Sequence, residues 1–181
     1  GFSGAIYIYY RLLKSIAESN HPIDSNEFQK YMELSAKKGY AYALFNYATY
    51  ANIPDRIPYL EKSAKKGCLD AINTLGMIYI TGYKKIHIDE EKAIIFLKIA
   101  ADNGYNEAMA RYGRMLVFGE CVEPNAKEGV KYIKSAIEKG NLNAIFFYAY
   151  MLQNGQGVSV NKKMAQKYYQ TAADKGHIYS M

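Results

Sequence analysis

The chain has 181 residues, 50% hydrophobic, 14% aromatic and 22% charged, a balance that excludes a disordered chain and gives ample material for a core. Its two cysteines, Cys68 and Cys121, are too few for a secreted disulfide framework, and its longest apolar run, near Ala5 to Tyr10, falls well short of the roughly 18 to 20 residues of a membrane helix. The formal charge of +6 gives an electrostatic footprint for an anionic partner only if the lysines gather on one face.

The chain is organised as a repeat, visible as Ala-x-x-Gly-like motifs each followed four residues later by a small residue. Gly1 and Ala5 open the first unit, Asp24 caps its second helix with Glu27 three residues on, and Ser35-Ala36-Lys37-Lys38-Gly39 closes it. Ala43 opens a short unit in which Ala51-Asn52-Ile53-Pro54 turns the chain directly. Pro58 then falls in the first helical turn after Asp55, where a missing N–H is tolerated, and Gly67 ends the unit. The unit from Ala71 carries Leu75, Gly76 and Tyr79 on one helical face, stops at Gly82, restarts at the cap Asp89 and buries Ala93, Phe96, Leu97, Ala100 and Ala101 before Gly104. From Ala108 the same face holds Tyr112, Gly113 and Leu116, with a stop at Gly119, a capping box from Asn125 to Glu128, and an end at Gly140. The last unit, from Ala144, has Tyr148, Ala149 and Leu152, a stop at Gly155, a cap at Asn161 and a stripe of Ala165, Tyr168, Tyr169, Ala172 and Ala173 before Gly176. Lys37, Lys38, Lys65, Lys66, Lys139 and Lys175 stand at the ends of second helices, where cations complement the helix dipole.

These spacings predict an all-α chain of five units, 5–42, 43–70, 71–107, 108–143 and 144–181, forming one domain over 1–181. A pair of helices of about three turns each cannot bury both of its apolar faces, so neighbouring pairs must stack. Gly76, Gly113 and Ala149 are the predicted points of closest helix approach. The absence of an initiator Met suggests a piece of a longer protein, for which a cytoplasmic setting is favoured.

The units resemble Sel-one-like repeats (SLR), relatives of the tetratricopeptide repeats. The match is best from Ala144 through Gly155, Gly157 and Val158 to Asn161, Ala165, Tyr168, Tyr169, Ala172, Ala173 and Gly176, and is clear in the units opened by Ala71 and Ala108. The resemblance implies a right-handed α-solenoid superhelix of antiparallel helix pairs whose first helices line a concave face. It also implies a protein-binding scaffold or adaptor, in some cases attached to or regulating a protein kinase. Carried onto this chain, the groove positions are Tyr7, Arg11 and Lys14; Phe45, Thr49 and Asn52; Asn73, Met77 and Ile80; Ala110, Arg114 and Val117; and Phe146, Tyr150 and Gln153. Arg11, Arg114, Asn73, Tyr150 and Gln153 are the strongest candidates, because Phe45 and Phe146 adjoin the core stripe and have a competing role in packing.

No catalytic constellation or cofactor motif assembles. His21, His87 and His177 are scattered in predicted loops, His87-Ile88-Asp89 lacks further ligands at metal-site spacing, and Gly155-Gln156-Gly157-Val158 follows a helix without the Lys-Ser/Thr of a phosphate loop. Neither cysteine has a neighbouring His or Cys to lower its pKa. Nucleic-acid binding is the weaker alternative, since the paired lysines are explained by helix ends. A further alternative is self-association through the C-terminal end, where Met164, Tyr168 and Tyr169 lack a following helix in this sequence.

Overall fold

The computed structural model describes residues 25–50, 55–84 and 86–176. The expectations placed on Gly1, Ala5, His21, Asp24, the Glu27 side chain, Ala51 to Pro54, His177 and the last residues to Met181 lie outside the described residues. The chain divides into two compact units, residues 1–75 and 76–181.

In the first unit α1 (Ser25–Lys37), α2 (Ala41–Tyr50) and α3 (Ile57–Lys65) are followed by the start of α4 (Leu69–Thr81), and α2 packs on both α1 and α3. Met32, Ala43, Leu44, Ala48 and Leu60 form the core. Asp55 opens α3 by accepting the Ile57 N–H at 3.0 Å, with Pro58 inside the first turn. Ser63, fully buried, donates its hydroxyl hydrogen bond to the Ala41 carbonyl at 2.6 Å and ties α3 to the start of α2.

The second unit continues α4 and adds α5 (Glu90–Asp102), α6 (Asn106–Phe118), α7 (Ala126–Glu138), α8 (Leu142–Asn154) and α9 (Lys162–Asp174). Consecutive helices from α5 to α9 pack in sequence, and α6 also meets α8. Among the described residues there is no strand, only an isolated bridge between Tyr83 and Ile86 in the loop after α4.

Second helices end at a glycine in the left-handed region. At Gly104 (φ 77°) the glycine N–H reaches the Ala101 carbonyl and the Tyr105 N–H reaches that of Ala100, a Schellman pair that satisfies the last carbonyls of α5. The residue four before each of these glycines must be small. Ser35, Ser63, Ala100, Ala136 and Ala172 are all at 0% exposure.

Second helices of this unit begin on the predicted caps. Asp89, Asn125 and Asn161 accept from the N–H groups of Lys92, Glu128 and Met164 at 2.9 to 3.1 Å. The reciprocal half of the capping box expected at Glu128 does not form. The Asn125 N–H is donated instead to the Leu116 carbonyl at 2.8 Å, and the Glu128 carboxylate takes the Asn125 side-chain amide at 2.9 Å. The same link to the end of the preceding helix recurs from Asp89 N–H to Tyr79 and from Asn161 N–H to Leu152.

Among the described residues, four pairs are also joined by two rings each. Tyr47 meets Tyr59, Tyr79 stacks on Phe96, Tyr112 meets Tyr132 and Tyr148 meets Tyr168, with centroids 4.9 to 5.8 Å apart. Between α6 and α7 two glycines face one another. There a Cβ on Gly113 would stand 2.9 Å from the Gly129 carbonyl oxygen, and one on Gly129 would stand 2.6 Å from that of Gly113.

Candidate functional site

The groove positions lie two, six and nine residues after the small residue that opens each repeat unit, a spacing that keeps them on one face. Tyr7, Arg11, Lys14 and Asn52 are outside the described residues. In the first unit Phe45 is half-buried and edge-on to Tyr42, while Thr49 is exposed and donates to the Phe45 carbonyl at 2.9 Å. Asn73 is half-buried, with its Oδ1 lacking a partner among the described residues.

In the second unit Met77 and Ile80 are half-buried on α4. Ala110 is 1% exposed and offers no surface, and Val117 packs its Cγ2 against Gly129 of α7. Gln153 is exposed and accepts the Tyr169 hydroxyl at 3.0 Å.

Three of the positions converge. Arg114, Phe146 and Tyr150 line one cleft of about 310 Å³ with Phe118, Glu120 and Phe147. Tyr150 is 41% exposed, its ring 5.9 Å from that of Phe118, and the Phe146 ring stands 5.4 Å from Tyr169 of α9. The Arg114 guanidinium pairs with Glu120 at 2.6 Å and sits 5.4 Å from the Phe147 ring centroid. The turn at Gly119 (φ 69°) folds Glu120 back beside Arg114. Sequence reading missed Phe118, Glu120 and Phe147. Only the Arg–Glu charge pair straddling a glycine stop signalled any of them.

A second missed group is polar. Glu107 of α6 accepts from Arg111 at 3.1 Å, from the Asn141 side chain at 3.0 Å and from the Asn143 side chain at 3.4 Å, linking α6 to α8. Asn141 also caps α8 by accepting the Ala144 N–H at 2.9 Å. On the second helices Asp102 is held by Lys98 at 2.7 Å and by the Tyr132 hydroxyl. The Lys98 and Tyr132 hydrogen bonds pull the Asp102 carboxyl below its ordinary range, whereas burial and then Asp102 itself push Tyr132 upward. Desolvation and the Glu90 carboxylate raise the Cys121 thiol, away from thiolate chemistry. His87 is exposed in its loop, and among the described residues no group of three or more His, Cys, Asp or Glu side chains could hold a metal ion. Nor is any described helix long and apolar enough to cross a membrane.

Residues 69–105, 106–141 and 142–177 match the family model of the Sel1 repeat. The chain belongs to the Sel1 repeat family. Each matched segment opens on the first residue of α4, α6 or α8. Sel1 repeat proteins are generally protein-interaction scaffolds and typically lack enzymatic activity.

Among solved structures, the chain resembles a Sel1 repeat protein from Oxalobacter formigenes, with 22% identity and a TM-score of 0.82 over 98% of this chain and 75% of that one. It also resembles c5321, a protective antigen of uropathogenic Escherichia coli displaying an SLR fold. The identity there is 24% and the TM-score 0.75 over 88% of this chain, which spans only 35% of the antigen's length. Cysteine rich protein B of Helicobacter pylori matches at 18% identity and a TM-score of 0.52, over 70% of this chain and 96% of that one. These likenesses fix the fold as that of the SLR proteins, all-α and built of helix pairs. No curated protein matches the chain.

Proposed function

We propose that the chain is a non-catalytic adaptor that holds a peptide or protein segment against the groove face of its first helices. The observation that carries this reading is the cleft where Arg114, Phe146 and Tyr150 meet Phe118, Glu120 and Phe147. Aromatic rings beside an arginine are the composition in which binding energy concentrates. The contact with Glu120 uses one of the five guanidinium donors, so Arg114 retains N–H groups for a partner's backbone carbonyls. Partner side chains would anchor on the rings, with Met77, Ile80, Val117 and Gln153 as the further positions of residues 76–181; Phe45, Thr49 and Asn73 are the candidate positions of the first unit, and Tyr7, Arg11, Lys14 and Asn52 those outside the described residues.

The test is selection of a displayed peptide library on the whole chain, followed by affinity measurements on the parent and on Arg114→Glu and Tyr150→Ala variants that keep the parent's circular dichroism. Truncating an anchoring residue is expected to weaken the selected peptides about tenfold or more. Peptides that bind parent and variants alike would remove the cleft from the binding site.

A further inference from the structure

The second helices of the last two pairs carry one basic pattern twice. Lys127, Lys131 and Ser135 on α7, with Lys139 at its C-cap, recur 36 residues later as Lys163, Lys167 and Thr171 on α9, with Lys175 at its C-cap. Residues four apart stand on one side of a helix, so each set is a continuous ridge. All six lysines are exposed, and none forms an ion pair among the described residues.

The fold does not demand these charges, because the matching positions of α5 are Glu91, Ile95, Ile99 and Asn103. Nor does the helix dipole explain them all. It favours Lys139 and Lys175 at the helix ends, but Lys127 and Lys163 stand at the second residue of their helices, where a cation is disfavoured.

On α7 the ridge lines an open cleft of about 740 Å³ together with Asp102, Gly104 and Tyr132. Asp102 is ion-paired with Lys98, while Glu128, hydrogen-bonded by the neutral Asn125 amide, keeps its charge and is outnumbered by Lys127, Lys131 and Lys139, so the cleft is net positive.

We propose that the α7 ridge and its cleft bind an extended acidic segment of a partner protein, with Asp or Glu at alternate positions. Ridge positions four residues apart are separated by about 6 Å along the helix. Alternate residues of an extended chain are about 6.6 Å apart and point the same way, so successive carboxylates meet Lys127, Lys131 and the Ser135 hydroxyl in step. The chemistry favours a peptide over a nucleic acid, because binding single strands relies on exposed aromatic faces for base stacking. Tyr132, the aromatic residue lining this cleft, has its ring edge-on to Tyr112 at 5.3 Å and its hydroxyl on Asp102. This surface is separate from the first-helix groove and does not rest on that reading.

The test uses the whole chain and two fluorescein-labelled peptides of about twelve residues, alternating Glu-Ala and alternating Gln-Ala, followed by fluorescence anisotropy. The Glu peptide is expected to bind and the Gln peptide not, with affinity falling as salt screens the contacts. Lys127→Glu with Lys131→Glu should weaken the Glu peptide at least tenfold and admit a Lys-Ala peptide in its place. Tyr150→Ala should leave it unchanged. Should the double charge reversal perturb folding, Lys131→Gln gives the same comparison with a smaller expected loss, about threefold. Equal binding of the Glu peptide to parent and ridge variants would overturn the proposal. So would its loss in Tyr150→Ala, or tighter binding of a single-stranded oligonucleotide of equal charge.

Discussion

Asn46 of α2 is 1% exposed, and among the described residues neither its amide nitrogen nor its carbonyl oxygen has a hydrogen-bond partner. A buried amide that has lost water and gained nothing costs roughly 1 to 3 kcal/mol. Leucine has the same number and branching of side-chain heavy atoms and no polar group to desolvate, and it is the better helix former. Asn46→Leu is therefore expected to stabilise the chain by about 1 to 2 kcal/mol, read as a raised midpoint in urea. A lower midpoint would show that the amide is satisfied and its loss harmful. The position was not legible as a cost, because nothing in a sequence says whether a polar residue at a core-facing step has found a partner. Ser63 stands in an equally apolar place with its hydroxyl on the Ala41 carbonyl at 2.6 Å. The two look alike in the sequence and differ in the energy ledger of the fold.

At the level of the helix pair, size decides more than polarity. Gly113 and Gly129 face one another so closely that any Cβ on either would press on the other's backbone oxygen, which a rotamer change cannot relieve. Gly113→Leu must push α6 off α7 and is expected to cost roughly 3 kcal/mol or more, lowering the thermal midpoint by about 6 to 12 °C. A melt indistinguishable from the parent would break the register. Gly113 could be read in advance because small residues recur at the same step, as Gly76 and Ala149 do. Its partner Gly129 could not, since the facing positions are Ala93 and Ala165. Caps were legible for a similar reason: Asp89, Asn125 and Asn161 recur at one step and act locally. What each cap does with its own N–H was not, because that bond is made to the previous helix and depends on how the loop closes.

Within residues 76–181 each pair owes part of its stability to its neighbour, since α6 packs on α5, α7 and α8 whereas α9 packs on α8. The facing small residues act inside a pair, whereas the rings act both inside pairs and, through Phe118 on Tyr150, between them. Glu107 acts between pairs, its carboxylate collecting Arg111 from its own helix and Asn141 and Asn143 from the turn and helix that follow. Glu107→Ala should thus uncouple α8 and α9 from α6 and α7 without unpacking either pair. Losing hydrogen bonds to a charged group weakens such a junction by roughly 1.5 kcal/mol, which corresponds to about tenfold faster local opening. Hydrogen exchange read by mass spectrometry should then show faster exchange in Leu142–Asn154 and Lys162–Asp174, with α6 and α7 close to the parent. Uniform acceleration across all four helices would mean that the junction does not set a boundary and that the pairs open as one unit.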